Sequence, residues 1–366
     1  MTRRETIDPS DIPTGRPSVS VVIVSWNALD IVRRCLPSVV RTNHPSFEIV
    51  FADNASTDGT PDWVEANHPG VRVIRHSENL RFTRGNNAAV RQARGRFVVL
   101  LNNDVEVDPD WLSPLVDRME ADPSIGAVQP KLMQFDDRDR FEYSGASGGY
   151  LDRFGYPFTR GRVFFTMEDD AGQYDQAGPV FWATGAAVMF RTEVYVAAGG
   201  LEESFDMHME EIDLCWRLQR AGYRVEAVPE SVIWHIGGAS LPSTSSEKAY
   251  LNFRNNLLTL YRNWPRRVWL RRFPVRAILD VLAVLRAILA GRPRESAAIV
   301  RAYRDAHRMK SSFTASLPPS APGADADSVE VDTPYEGSIV LDYFLFGRRT
   351  FSELPRSRFR GGYLRP

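Results

Sequence analysis

Asn102-Asn103-Asp104 closes the apolar run Phe97-Val98-Val99-Leu100-Leu101, and a strand that ends in a carboxylate can hold a divalent ion against a diphosphate. Val232-Ile233-Trp234-His235 ends in the same way on an imidazole and is followed by Gly237-Gly238. If both runs belong to one sheet, His235 lies at the edge that carries Asp104. A histidine, a carboxylate and diphosphate oxygens then form a ligand set for Mn²⁺ or Mg²⁺. A second group of acids, Glu210, Glu211 and Asp213, stands at the start of an amphipathic segment with apolar positions Ile212, Leu214, Trp216 and Leu218. The helix dipole alone favours acids in a first turn. Three together also offer a carboxylate able to act as general base toward a sugar hydroxyl, typically worth about 10²–10⁴-fold.

Buried parallel strands must position these groups. Ser20 to Asn27 and Glu48 to Ala52, the latter followed by Asp53, are apolar runs that stop at polar residues, as Phe97 to Leu101 does. Helices are expected between them at 29–41, at 60–67 with Thr60 as cap and Pro61 at the first helical position, and at 84–94. The result is βαβαβ, a doubly wound α/β sheet that binds ligands beyond the carboxyl ends of its strands. Phe181 to Arg191 reads as a further strand with small residues at its start, followed by a helix or turn and then Gly199-Gly200. Phe205 to Ala221 reads as the helix carrying the second acidic group.

The chain has 366 residues, 43% hydrophobic and 25% charged, which suits a globular enzyme with a large core. Its net charge of −1 gives no reason to expect a nucleic-acid partner. The charge is uneven: from Arg262 to Lys310 thirteen Lys and Arg face three acids, leaving that stretch near +10. Within it, Phe273 to Ala290 includes Arg276, Asp280 and Arg286, too many charges for a spanning helix. Its apolar positions fall on one helical face. Two readings stand side by side: a basic amphipathic helix at an anionic membrane surface, or a helix packed on the main domain with its arginines solvated. Only Cys35 and Cys215 occur, and Met1 to Pro17 is polar with no apolar stretch of the signal-peptide kind. A reducing cytoplasmic setting is expected, peripheral at the inner face of the membrane if the basic helix meets lipid. The chain divides into a disordered stretch at 1–17, a main domain at 18–245, a basic helical region at 246–310, a low-complexity linker at 311–337 and an aromatic, basic tail at 338–366. Whether the tail docks, meets a partner or meets lipid is open, as is oligomerisation.

The ordered set of motifs resembles family 2 glycosyltransferases of the GT-A fold, in particular the bacterial rhamnosyltransferase-like branch. The matching residues are Val22 to Asn27, Asp53 to Thr60, Asn79 to Asn87, Leu101 to Asp104, Thr184-Gly185-Ala186, Glu210 to Arg217, His235 to Ser240 and Arg254 to Leu257. The resemblance implies a mixed, doubly wound sheet with a nucleotide-binding N-terminal half, followed by amphipathic helices and a flexible tail. It also implies inverting transfer from a nucleotide-sugar, dTDP-rhamnose or a UDP-sugar, to a glycan or lipid-linked acceptor, with Mg²⁺ or Mn²⁺ as cofactor.

By that resemblance Asp53 recognises the pyrimidine ring of the donor, and Asn79, Gly85 and Asn87 line the nucleoside pocket, with Asn103 also on the donor side. The family usually has Gly where Arg81 stands and a small residue near Arg84. Asp104 matches the last acid of a metal motif whose first position is here Asn102, leaving His235 and the diphosphate to complete the metal shell. Glu211 takes the place of the general base and Glu210 is the reserve, whereas Asp58, Asp213 and Arg217 read as supports. A UDP-hexose transferase and a non-catalytic nucleotide-sugar-binding protein are the alternatives. A sugar-phosphate nucleotidyltransferase would show a Gly-rich, basic loop after its first strand, where this chain has Ser25-Trp26-Asn27-Ala28.

Overall fold

The computed structural model describes residues 18–237, 245–313, 317–324 and 331–363. The expected disordered stretch at 1–17 and the glycine-rich end of the His235 motif, from Gly238, lie outside them.

Three apolar runs become the parallel strands β1 (Val19–Ser25), β2 (Phe47–Asp53) and β4 (Phe97–Asn102), with β3 (Arg72–Arg75) beside β2. Their residues are buried on both faces, as near-continuous apolar runs require. Register then fixes chemistry: Ser25 pairs with Asp53 and Val24 with Asn102, so three strands deliver polar ends to one edge. Helices α1 (Leu29–Val40), α2 (Thr60–Asn67) and α3 (Arg81–Val90) make the crossovers. The α2 cap is Gly59, at φ 82°, rather than Thr60. Helix α3 starts three residues earlier than its pattern suggests, because the Asn79 side chain accepts the Arg81 N–H at 2.8 Å.

The sheet then turns mixed. After β5 (Val105–Val107) and α4 (Leu112–Ala121), β6 (Ile125–Gln134) runs beside β13 (Arg224–His235), and β12 (Ala187–Arg191) lies antiparallel between β4 and β6. The order is β11-β13-β6-β12-β4-β1-β2-β3, with β11 (Gly178–Val180) at one edge and β5 also pairing β13. Val232 to His235 is thus the end of a longer strand. Of the run Phe181 to Arg191 only the last five residues join the sheet, since Trp182 bridges instead to Gly149 in a small second sheet. That sheet, β7 to β10 (Gly149–Leu151, Pro157–Thr159, Arg162–Val163 and Thr166–Met167), has no alternation long enough to be read from sequence.

Helix α5 (Thr192–Ala197) follows β12, and α6 (Glu210–Arg220) begins five residues later than expected. Asp206, His208 and Met209 hold φ of 63°, 68° and 73°, a left-handed conformation that cannot be helix. Helices α7 (Ser246–Asn263), α8 (Arg266–Leu289) and α9 (Pro293–Met309) then cross the domain.

The remaining segments depart from the linker expectation and take up one of the alternatives left open for the tail. Parts of the stretch read as a linker are packed: Ala321 N–H bonds Ala221 O at 2.8 Å, Asp332 pairs with Arg272, and Thr333 and Tyr335 are buried. The tail docks through α10 (Ile339–Phe344), whose Ile339 N–H bonds Asp152 Oδ2 at 2.9 Å, while Phe351 and Phe359 stack around Tyr150 and Phe158. Its aromatics pair with the small sheet as well as with each other, so their spacing follows tertiary contacts and gives the tail no periodicity of its own.

Candidate active site

Asp53 ends β2 almost fully buried. Its Oδ2 accepts the Ser56 N–H at 2.9 Å, but Oδ1 has no partner among the described residues. Asn54 Oδ1 beside it and Nε2 of His76, whose N–H bonds the Asp53 carbonyl, are likewise buried and unpaired. Buried polar atoms are nearly always satisfied, so this cluster has the makings of a ligand pocket. Asp58, in contrast, is spent on structure: it accepts from Leu29 N–H and from the Thr60 N–H and hydroxyl, tying two βα loops together.

The other residues of the expected nucleoside pocket are occupied differently. Asn79 stops at its turn, and Arg81 after it sits at φ 59°. That explains the glycine usual there in the resembling family: this chain places a side chain where glycine costs nothing. Arg81 lies 3.9 Å from Asp206 and Arg84 3.3 Å from Glu78, both exposed. Gly85 is a packing glycine, since a Cβ would lie 2.9 Å from Val24 Cγ1 and 3.2 Å from Asn54 Nδ2. Asn87 departs from expectation. Its Nδ2 donates to Leu201 O and Glu203 Oε1, and its Oδ1 accepts from Tyr195 hydroxyl and Leu201 N–H, leaving no polar atom for a ligand. It instead pins the loop through Gly200, where any Cβ would collide with it.

The β4 edge holds the second half of the site. Asn103 Nδ2 donates to Ser25 Oγ at 3.0 Å, keeping it beside β1. Asp104 Oδ1 is 3.1 Å from His235 Nε2, and Asn102 Nδ2 is 3.5 Å from the same nitrogen. The other ring nitrogen, Nδ1, lies 3.2 Å from Oε1 of Glu142, which sequence reasoning missed because nothing around it is patterned. All three charged groups are buried. Burial opposes a charged imidazole, but Glu142 and Asp104 outweigh it and the His235 pKa is pushed up to about 10. Burial likewise works against the Glu142 carboxylate, yet His235 holds its pKa below the ordinary value.

Asp104 and His235 are donor types that a divalent cation accepts. With His235 protonated, Nε2 donates to Asp104; on loss of that proton Nε2 would be free to ligate a cation, with Glu142 3.2 Å from Nδ1 on the far side of the ring, as in the carboxylate–histidine–metal arrangement that orients metal-bound imidazoles. The protein side is incomplete. Among the described residues no group of three or more His, Cys, Asp or Glu side chains is arranged to hold a metal by itself.

The acidic pair opens α6. Glu210 is buried and Glu211 half-buried, each with an Oε2 unpaired among the described residues. Burial raises both pKa values, that of Glu211 to about 7, and the Glu211 charge pushes Glu210 up further. Gly185 connects the two halves: its N–H lies near enough to the Glu211 carboxylate to favour the charged form, while the next carbonyl, Ala186, accepts the Asn102 N–H at 2.9 Å. Asp213 and Arg217 support the helix as expected. Asp213 accepts from Arg217, Arg262 and Asn263 at 2.7–3.1 Å, and Arg217 reaches the Gly200 carbonyl at 2.7 Å. The left-handed loop before α6 is held from α7, where Asn255 Nδ2 donates to the carbonyls of Phe205, Met207 and His208. A cavity of about 180 Å³ lined by Leu257, Trp269, Phe273 and Tyr303 lies elsewhere, and no candidate site residue lines it.

Comparison with known proteins agrees with this architecture. Residues 20–194 match the family model described as Glycosyl transferase family 2. An uncharacterized protein of Sinorhizobium fredii is 31% identical over 260 residues, which cover 68% of this chain and 28% of that protein. The N-acetylglucosaminyl-diphospho-decaprenol L-rhamnosyltransferase of Mycobacterium tuberculosis is 27% identical over 59% of this chain and 75% of its own length. Among solved structures, the mannosyltransferase PcManGT from Pyrobaculum calidifontis, in complex with GDP-Man and Mn²⁺, superposes with a TM-score of 0.51 at 20% identity, covering 83% of this chain and 82% of that one. The fold is GT-A, and the chain contains a family 2 glycosyltransferase domain.

Proposed function

We propose that this protein transfers a sugar with inversion from a nucleotide-sugar, dTDP-rhamnose in the first instance or a UDP-sugar, to a hydroxyl of a surface glycan or lipid-linked acceptor. One observation carries the reading: Gly185-Ala186 joins the carboxylate of Glu211 to the strand end that bears Asp104 and His235. The likeness to a rhamnosyltransferase supports the donor.

In this reading the open Oδ1 of Asp53 accepts an imide N–H of the base, and Asn103 stays on the donor side of the edge. Glu211 takes the acceptor's proton as its oxygen attacks the anomeric carbon from the face opposite the diphosphate. A pKa near neutrality suits that task. Glu210, driven harder toward its neutral form, keeps a second negative charge away from the base. Asp104 and His235 Nε2 would hold Mg²⁺ or Mn²⁺, which when bound neutralises charge on the leaving diphosphate. The leaving group needs no protein acid, so one base suffices.

The test is slow donor hydrolysis, with Mn²⁺ present, across a panel containing dTDP-rhamnose and several UDP-sugars. Selective release of one sugar, lost in Glu211→Gln, supports the reading. Release that is unchanged in Glu211→Gln removes Glu211 from the base role.

A further inference from the structure

Helix α8 turns one buried ion pair to the protein and a row of apolar residues to the outside. Arg276 and Asp280, 2.9 Å apart, are 2% and 1% exposed. Arg276 donates to Phe154 O and Asn256 Oδ1, and the hydroxyls of Tyr156 and Tyr303 donate to Asp280. That network fixes the rotation of the helix. At 100° per residue the opposite face carries Ile278, Val281, Leu282, Leu285, Ile288 and Leu289, which are 48–88% exposed. Of the nineteen large hydrophobic side chains exposed among the described residues, eight lie on this one helix. Exposed apolar residues are ordinary singly, but a contiguous patch marks an interaction surface.

The patch continues off the helix. The Arg286 guanidinium lies over the rings of Phe165, in the β9–β10 turn, and Phe344, at the end of α10. Both rings, with Leu345 and Phe346, are at least half exposed. Arg271 and Arg286 on the helix and Arg294 after it are exposed at the margin, whereas the one acid of α8, Asp280, is buried.

We propose that this face of α8, together with Phe165 and Phe344–Phe346, docks on an anionic lipid bilayer. The helix lies in the plane of the interface, its leucines and isoleucines below the headgroups and its arginines at the phosphates. Charge selects the occupant. A second copy meeting this face about a two-fold axis would oppose arginines to arginines with no acid on the patch to neutralise them. Among the described residues no helix is long and apolar enough to cross a membrane, which agrees with lying on one. The proposal stands apart from the transfer reaction and does not need it to be correct.

The experiment is co-sedimentation of the full chain with vesicles of phosphatidylcholine alone or mixed with phosphatidylglycerol. Wild type is expected to bind the mixed vesicles, less so at high salt. Leu282→Glu/Leu285→Glu, at exposed positions, is expected to keep the wild-type melting temperature and lose on the order of a hundredfold in partitioning. Arg271→Glu/Arg294→Glu gives an independent loss should the first variant not fold. Absence of wild-type binding, or equal binding by both variants, overturns the proposal. So does a wild-type dimer in sedimentation velocity that the leucine variant converts to monomer, which would assign the face to a second copy.

Discussion

Replacing Asn255 by alanine removes the amide that holds the carbonyls of Phe205, Met207 and His208. The Phe205 carbonyl keeps a bond from Arg254, so two acceptors lose their partner, at about 1–3 kcal/mol each where water cannot replace it. Against this, Asp206, His208 and Met209 hold left-handed backbone worth about 1–2 kcal/mol of strain each. The stored strain is as large as the restraint removed. The loop should therefore relax locally, and the net loss of stability should stay below about 3 kcal/mol. The consequence falls on Glu210 and Glu211, which follow the loop directly, since a displacement near 1 Å can cost about 10²-fold in rate. Thermal melting and steady-state kinetics with a donor titration measure both effects. The expected result is a small drop in melting temperature, kcat reduced about a hundredfold and nucleotide affinity unchanged, because Asp53 belongs to a different loop. Full kcat in a variant with lowered stability would refute the idea that Asn255 sets the position of the acidic pair.

Three further outcomes are expected. In the proposed role of base Glu211 must be ionised, and with its pKa near 7 kcat/KM should fall about tenfold per pH unit below neutrality; a pH–rate profile flat to pH 5 would contradict this. Glu142→Gln should weaken activation by Mn²⁺ about 10–100-fold by releasing the Nδ1 side of His235, read from a metal titration of activity, whereas an unchanged midpoint would leave Glu142 without that role. Removal of residues 331–366 should destroy cooperative unfolding followed by circular dichroism, because it uncovers Tyr150 and Phe158; a truncated chain that melts as sharply as the whole would show those contacts to be dispensable.

The parallel half of the sheet is legible because burial on both faces writes itself into sequence as short apolar runs, and the polar residues closing those runs make up the candidate site. Asp53, Asp104 and His235 are accessible to reading for that reason. Asn87 misleads because an asparagine next to the site looks the same whether its amide meets a ligand or, as here, Leu201 and Tyr195. Glu142 is illegible because its role depends on a strand pairing with Phe141 and on His235, more than ninety positions further on. The rotation of α8 is hidden for a different reason. Periodicity identifies two faces of a helix, and only the tertiary partners of Arg276 and Asp280 decide which is turned inward.

The docking of the tail bears on how the chain is made. Tyr335 bridges Asp152 and Phe359, and Ile339 bonds the same aspartate across 187 positions. The aromatic nucleus around Tyr150 and Phe158 consequently stays open throughout synthesis of the helices that come between. The parallel half of the sheet can assemble as it emerges, but the small sheet must wait for residues near 359. During that interval its rings are exposed and prone to the wrong company, so chaperone demand and the placement of any carboxyl-terminal fusion should govern the yield of folded protein more than the stability of the finished domain does.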